Sequence, residues 1–172
     1  TVLPDRNAVL ALGKAVRDFY VNLNRLAAKG WLRNLLALLG RKELATYYRN
    51  YYEHVQEGLA EFERTGRDRL FHGAPSAIVI GCTPGASLPK EDALLASQNI
   101  LLAAHSMGLG SCLIGMAVEA MKNDRKIQQA IGIPAKETVY AIIVLGYPDE
   151  PYARLTGRKK PLIRMWPQPP AA

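Results

Sequence analysis

VYAIIVLGYP, residues 139–148, decides the fold. From Val139 to Leu145 the run is apolar or aromatic throughout and rich in β-branched residues, and Gly146-Tyr147-Pro148 stops it. That is the pattern of a strand. A second run of the same kind, Ala77 to Gly81, follows Gly73-Ala74-Pro75. Neither run alternates polar with apolar, so both faces of the sheet they build are expected to be covered.

The cover comes from helices on either side. Asp5 is placed to cap a helix whose apolar positions Val9, Leu12, Val16 and Phe19 step by three and four. Lys29-Gly30 reads as its stop, with Gly30 able to take the left-handed conformation. Trp31 to Leu39 is a short apolar run ended by Gly40, and a second long helix is expected over Lys42 to Arg64. Its stripe is Leu44, Tyr48, Tyr51, Val55, Leu59 and Phe62, and Thr65-Gly66 ends it. After the first strand, Pro89, Glu91 and Asp92 suit a helix start. The helix that follows, about Lys90 to Met107, is apolar nearly all round from Ala93 to Ala104. Such a helix is expected to be buried on every side, partly by another subunit. Gly108 caps it in the left-handed conformation with Leu109 as hydrophobic partner. Short helices are expected around Val118 to Met121 and Asp124 to Ile131, the latter ended by Gly132 and Pro134. Residues 1–166 read as a single domain, and 167–172 as a frayed Pro-rich tail.

Composition narrows the classes. At 172 residues, 49% hydrophobic and 22% charged, the chain resembles an ordinary globular domain rather than a disordered or fibrous one. A chain of this length buries roughly 70% of its unfolded surface on folding, enough for a core without staples. Its two cysteines, Cys82 and Cys112, make neither a disulfide framework nor a Cys-based zinc cluster. A reducing, cytoplasmic setting is expected. No stretch is long and apolar enough to span a bilayer, and no charged-then-apolar leader opens the chain. It starts at Thr1 without Met, as a processed product or a piece of something longer would. The net charge of +7 suggests anionic partners: nucleic acid, lipid or a phosphorylated small molecule.

Motifs exclude several chemistries. His54, His72 and His105 share no metal-ligand spacing with one another or with either cysteine, so no metal is expected. There is no nucleophile elbow, phosphate-binding loop or dinucleotide fingerprint. Tyr47, Tyr48, Tyr51 and Tyr52 lie at helical spacing. They either floor a planar pocket or divide between core (Tyr48, Tyr51) and its edge (Tyr47, Tyr52). The basic stretch Arg154, Arg158, Lys159, Lys160 and Arg164 is either a solvated tail or a phosphate site. Stacking aromatics do not interleave it, so nucleic acid is not expected.

Ordered motifs over somewhat more than half of the chain resemble the C-terminal part of the FMN-dependent nitroreductase family. They are Phe71-His72-Gly73-Ala74-Pro75 leading into the first strand, Asp92 opening a helix that holds Ser97-Gln98-Asn99, and Gly108 through Gly115. Gly132-Ile133-Pro134, Leu145-Gly146-Tyr147-Pro148 and Arg158-Lys159-Lys160-Pro161 complete the order. The resemblance implies an α+β sandwich with a mostly antiparallel central sheet flanked by helices, dimeric through its long helices. It also implies FMN at the subunit interface and NADH or NADPH as electron donor, with a nitroaromatic, quinone or similar planar acceptor. On that resemblance no side chain need act as acid or base, since the flavin carries the chemistry. Leu113, Ile114 and Gly115 match the segment against the flavin ring, Arg158 and Lys159 the phosphate contacts, and Arg69 a ribityl contact. The partners implied are a second copy and the small acceptor, with no membrane. The family's N-terminal Arg-Arg-Ser-x-Arg-like phosphate grip and its stretch before Gln-Pro-Trp do not occur. The missing part was removed, belongs to a longer protein, or has been lost together with tight flavin binding. The alternative is a flavin-free dimeric relative serving as a binding module for an anionic partner.

Overall fold

The computed structural model describes residues 1–149, 157 and 159–166. The expected frayed tail, 167–172, and Arg154 and Arg158 of the basic stretch lie outside the described residues.

One antiparallel sheet organises the chain, with strand order β1-β2-β4-β3. Its strands are β1 (Val2–Leu3), β2 (Ser76–Cys82), β3 (Gly110–Leu113) and β4 (Thr138–Gly146). The two strands expected from apolar runs are the central pair, β2 and β4. Ala77, Val79, Val139, Ile142 and Val144 share one core with Val9, Leu12, Val16 and Tyr20 of α1 (Arg6–Ala27) and with Ala117, Val118 and Met121 of α6 (Gly115–Asn123). Ile78, Ile80, Ala141 and Ile143 alternate to the other face, and α5 (Pro89–Ser106) packs across β2, β3 and β4. The expected α+β sandwich is present.

The phase of β4 changes once. Ile80 pairs with Ala141 and Gly81 with Val139, so Tyr140 has no partner on β2. This β-bulge keeps Val139 on the same face as Ile142 and Val144. A Cβ on Gly81 would lie 2.8 Å from the backbone oxygen of Thr138, so the bulge admits only glycine there without a shift.

Local signals hold at most helix ends. The Asp5 carboxylate accepts the Ala8 N–H at 2.9 Å, capping α1. Gly108 sits at φ 73°, and the N–H groups of Gly108 and Leu109 donate to His105 and Ala104, the paired bonds of a Schellman ending. Gly66 and Gly132 end α4 (Tyr52–Thr65) and the turn after α7 (Arg125–Ala130) with φ of 71° and 77°.

Two expectations are corrected. Gly30 does not stop α1 in a left-handed turn: it is the first residue of α2 (Gly30–Leu38). The Ala28 and Lys29 N–H groups bond to Asn24 and Leu26, and the Arg33 guanidinium takes the Ala27 carbonyl, so α1 closes without a positive φ. The single helix over 42–64 is two, α3 (Glu43–Asn50) and α4, because Tyr51 leaves helical geometry at φ −131°. Closely spaced tyrosines have weak helix propensity, and Tyr47 is held to α1 by a 2.6 Å bond from its hydroxyl to Asn24 Oδ1. Within one chain α5 is covered on one side only, as expected of a helix that another subunit is to help cover. It buries Ala93, Ser97 and Ala104 against the sheet and leaves Leu94, Leu95 and Leu102 exposed.

Candidate functional site

The junction between β3 and α6 holds the three ring-contact candidates. β3 is an edge strand, and its last rung passes beyond Leu113: the Ile114 N–H donates to the Ile142 carbonyl at 2.8 Å. Ile114 is therefore fixed and buried, while Leu113 before it and Gly115 after it are exposed. α6 starts at Gly115 with no side-chain cap. The N–H groups of its first turn have no intrahelical acceptor and sit at the positive end of the helix dipole. A Cβ on Gly115 would meet nothing within 4 Å, so the chain leaves open space beside the Gly115 backbone.

Tyr20 fixes this turn from below. Its hydroxyl donates to the Met116 carbonyl at 2.9 Å. Burial, and secondarily the carboxylate of Glu119, push its pKa up to about 12, so it stays a donor at any ordinary pH. Its ring leads a ladder through Tyr47 to Tyr51, successive centroids 6.3 Å apart and inclined by 23°. Tyr47 is raised too, first by burial and then by Tyr20 and Tyr52.

Beside Met116 lies a cavity of about 380 Å³ between α1 and α4. Leu10, Gly13 and Tyr20 form one wall, Tyr51, Val55 and Phe62 the other, and Arg17 and Arg69 enter at its rim. The Arg17 guanidinium lies 3.8 Å above the Phe62 ring. Arg69 pairs with Glu61 at 3.2 Å. The loop carrying Arg69 is held by Asp68, which accepts the N–H groups of Leu70 and Phe71 and binds Arg6 at 2.8 Å.

Leu113, Ile114 and Gly115 follow one another at the strand–helix junction, and Arg69 lines the same cavity as the adjoining Met116. Lys159 is exposed, and Arg158 lies outside the described residues. The division expected within the tyrosine cluster is reversed: Tyr47 packs against the core, while Tyr48 and Tyr51 are exposed. Tyr51 belongs to the cavity wall. Sequence reading missed Tyr20 and Met116. Tyr20 continues the Val9-Leu12-Val16 stripe, and a phenol on a core stripe needs a buried acceptor.

The sequence model of the nitroreductase family matches residues 19–147. The chain belongs to the nitroreductase family. Over 83 residues it is 40% identical to a protein of Methanothermobacter thermautotrophicus named "Putative NADH dehydrogenase/NAD(P)H nitroreductase", covering 45% of this chain and 42% of that one. A protein of the same name from Archaeoglobus fulgidus is 33% identical over 89 residues, 48% of this chain and 49% of that one. The matched region spans less than half the length of either relative. Among solved structures, a Bacteroides fragilis nitroreductase with bound FMN superposes with a TM-score of 0.61 at 18% identity. The superposition covers 96% of this chain and 73% of that one. That likeness shows the shared family fold.

Proposed function

We propose that this nitroreductase-family chain is the flavin-holding part of an oxidoreductase that takes hydride from NADH or NADPH and passes electrons to a planar acceptor such as a nitroaromatic or quinone. The observation that carries the reading is the uncapped first turn of α6 with open space over Gly115. An aromatic ring system bearing electronegative edge atoms fits that pairing of bare backbone and unspent donors. The FMN named with the Bacteroides fragilis structure is of this kind.

FMN when bound supplies the two-electron hydride chemistry itself. The chain's own residues supply position and field. Leu113 offers an apolar shelf, Ile114 pins the backbone to β4, and Gly115 permits close approach. Since the Ile114 N–H is spent on Ile142, the donors facing the ring edge are those of Gly115 and the residues after it. Tyr20 holds that turn still. Arg158 and Lys159 are assigned to the phosphate and Arg69 to the ribityl chain, the first two through charge-assisted bonds.

The proposal includes a homodimer. Leu94, Leu95 and Leu102 stand exposed along α5, and two-fold pairing of that helix buries the same apolar patch on both copies.

Purified full chain incubated with FMN and then desalted tests the reading. A retained yellow chromophore and flavin-dependent oxidation of NADH or NADPH are expected. Colourless protein with no such oxidation overturns it.

A further inference from the structure

We propose that α2 is a membrane-surface helix that docks the protein on anionic lipid headgroups. None of its residues is buried in the fold. Leu32, Arg33, Leu36 and Ala37 form its half-buried side, with the Arg33 guanidinium 3.7 Å above the Tyr48 ring. The outward side is the more apolar one. Trp31, Leu35 and Leu38 stand at i, i+4 and i+7, exposed by 66%, 46% and 85%, and Leu39 continues the stripe at 68%.

Along the chain, the segment that carries this stripe bears charges of one sign. Between Asp18 and Glu43 the sequence holds no acidic residue, but has Arg25, Lys29, Arg33, Arg41 and Lys42. Lys29 directly precedes the helix, Arg41 and Lys42 follow it, and all three are exposed. A short helix with outward Trp and Leu and cations at both ends suits the headgroup boundary. Its apolar stripe sinks among the acyl-chain ends while the cations meet lipid phosphates. At nine residues α2 is about 14 Å long, far too short to cross a bilayer and suited to lying in its plane. No described helix is long and apolar enough to span one.

A second copy of the chain is the competing occupant. Two-fold pairing through this stripe would bring these cations up against the cations of the second copy whether the helices run parallel or antiparallel, a like-charge contact. An anionic surface turns the same cations into attraction. The proposal departs from the expectation of no membrane partner, and it is independent of flavin binding.

The test uses the full chain carrying Trp166→Phe, which leaves Trp31 as the sole tryptophan. It is mixed with vesicles of phosphatidylcholine alone or of phosphatidylcholine rich in phosphatidylglycerol. Expected are a blue shift of Trp31 emission and co-sedimentation with the anionic vesicles only, weakened severalfold by ~0.5 M salt. Leu38→Ser and Arg41→Glu should each lower vesicle partitioning by roughly tenfold with the circular dichroism unchanged. The proposal is overturned by equal behaviour with both vesicle types, or by binding indifferent to both substitutions. It is equally overturned if Leu38→Ser abolishes self-association in sedimentation velocity while the parent ignores vesicles, which would assign the stripe to a second copy.

Discussion

The Tyr20 hydroxyl reaches the Met116 carbonyl oxygen across 2.9 Å, fastening the middle of α1 to the first turn of α6. Tyr20→Phe keeps the ring in its ladder and removes only this bond. A net loss of about 1 kcal/mol is expected, read as a lower urea midpoint with unchanged slope. An unchanged midpoint would show that water replaces the hydroxyl at no cost.

The same phenol makes stability depend on alkaline pH. Its pKa is 10.0 when free and about 12 in the fold, so above pH 10 the unfolded chain loses this proton first. The contribution is whole below pH 10 and disappears as pH rises through 12. Tyr47, also raised, adds in the same direction. The urea midpoint should fall between pH 10 and 12, and fall less in Tyr20→Phe. Parallel declines in the two proteins would contradict this.

Gly115 and Gly81 separate a role in binding from a role in folding. A Cβ on Gly115 meets nothing within the chain, so Gly115→Ala should leave the melting temperature unchanged or slightly higher. If the flavin ring lies there, FMN affinity should drop about tenfold or more in fluorescence titration. Undiminished affinity would move the ring elsewhere.

Gly81→Ala should behave in the opposite way. Its Cβ would come within 2.8 Å of the Thr138 oxygen, a backbone atom that cannot swing aside. A destabilisation of roughly 1–3 kcal/mol is expected by chemical denaturation. A cost below ~0.5 kcal/mol would show that β4 yields easily at this point.

Leu102→Glu tests the dimer. Leu102 is 58% exposed in the single chain, where such a change is nearly neutral, within about 0.5 kcal/mol. In an obligate homodimer through α5 it should abolish association and lower solubility. Sedimentation at low micromolar concentration decides, and a well-folded parent monomer there would remove the dimer from the proposal.

The elements legible in the sequence are those whose cause is local. Asp5 caps, Pro89 opens, Gly66, Gly108 and Gly132 close, and β2 and β4 announce themselves by apolar runs. The misread ones answer to distant partners. Tyr51 breaks a helix near the point where Tyr47 is tied to Asn24 on α1. Gly30 was free to begin α2 because Arg33 caps the helix before it. The two edge strands are too short to carry a pattern: β1 has two residues, and β3 is Gly-Ser-Cys-Leu. At the site, the motif at 113–115 was visible as a resemblance. The Ile114 bond to β4 and the Tyr20 bond to Met116 depend on contacts far apart in the chain, which spacing does not encode.

The bulge in β4 carries an evolutionary consequence. Tyr140 is the extra residue, and Gly81, paired with Val139, sits beside the shift with no room for a side chain. Deleting Tyr140 would leave Val139 in phase with Ile142 and straighten the strand, thereby relaxing the demand for glycine at 81. Filling position 81 first meets the Thr138 oxygen. The two positions therefore form an epistatic pair with a permitted order of change. A lineage can lose the bulge and then admit a side chain at 81, whereas the reverse order passes through a destabilised intermediate.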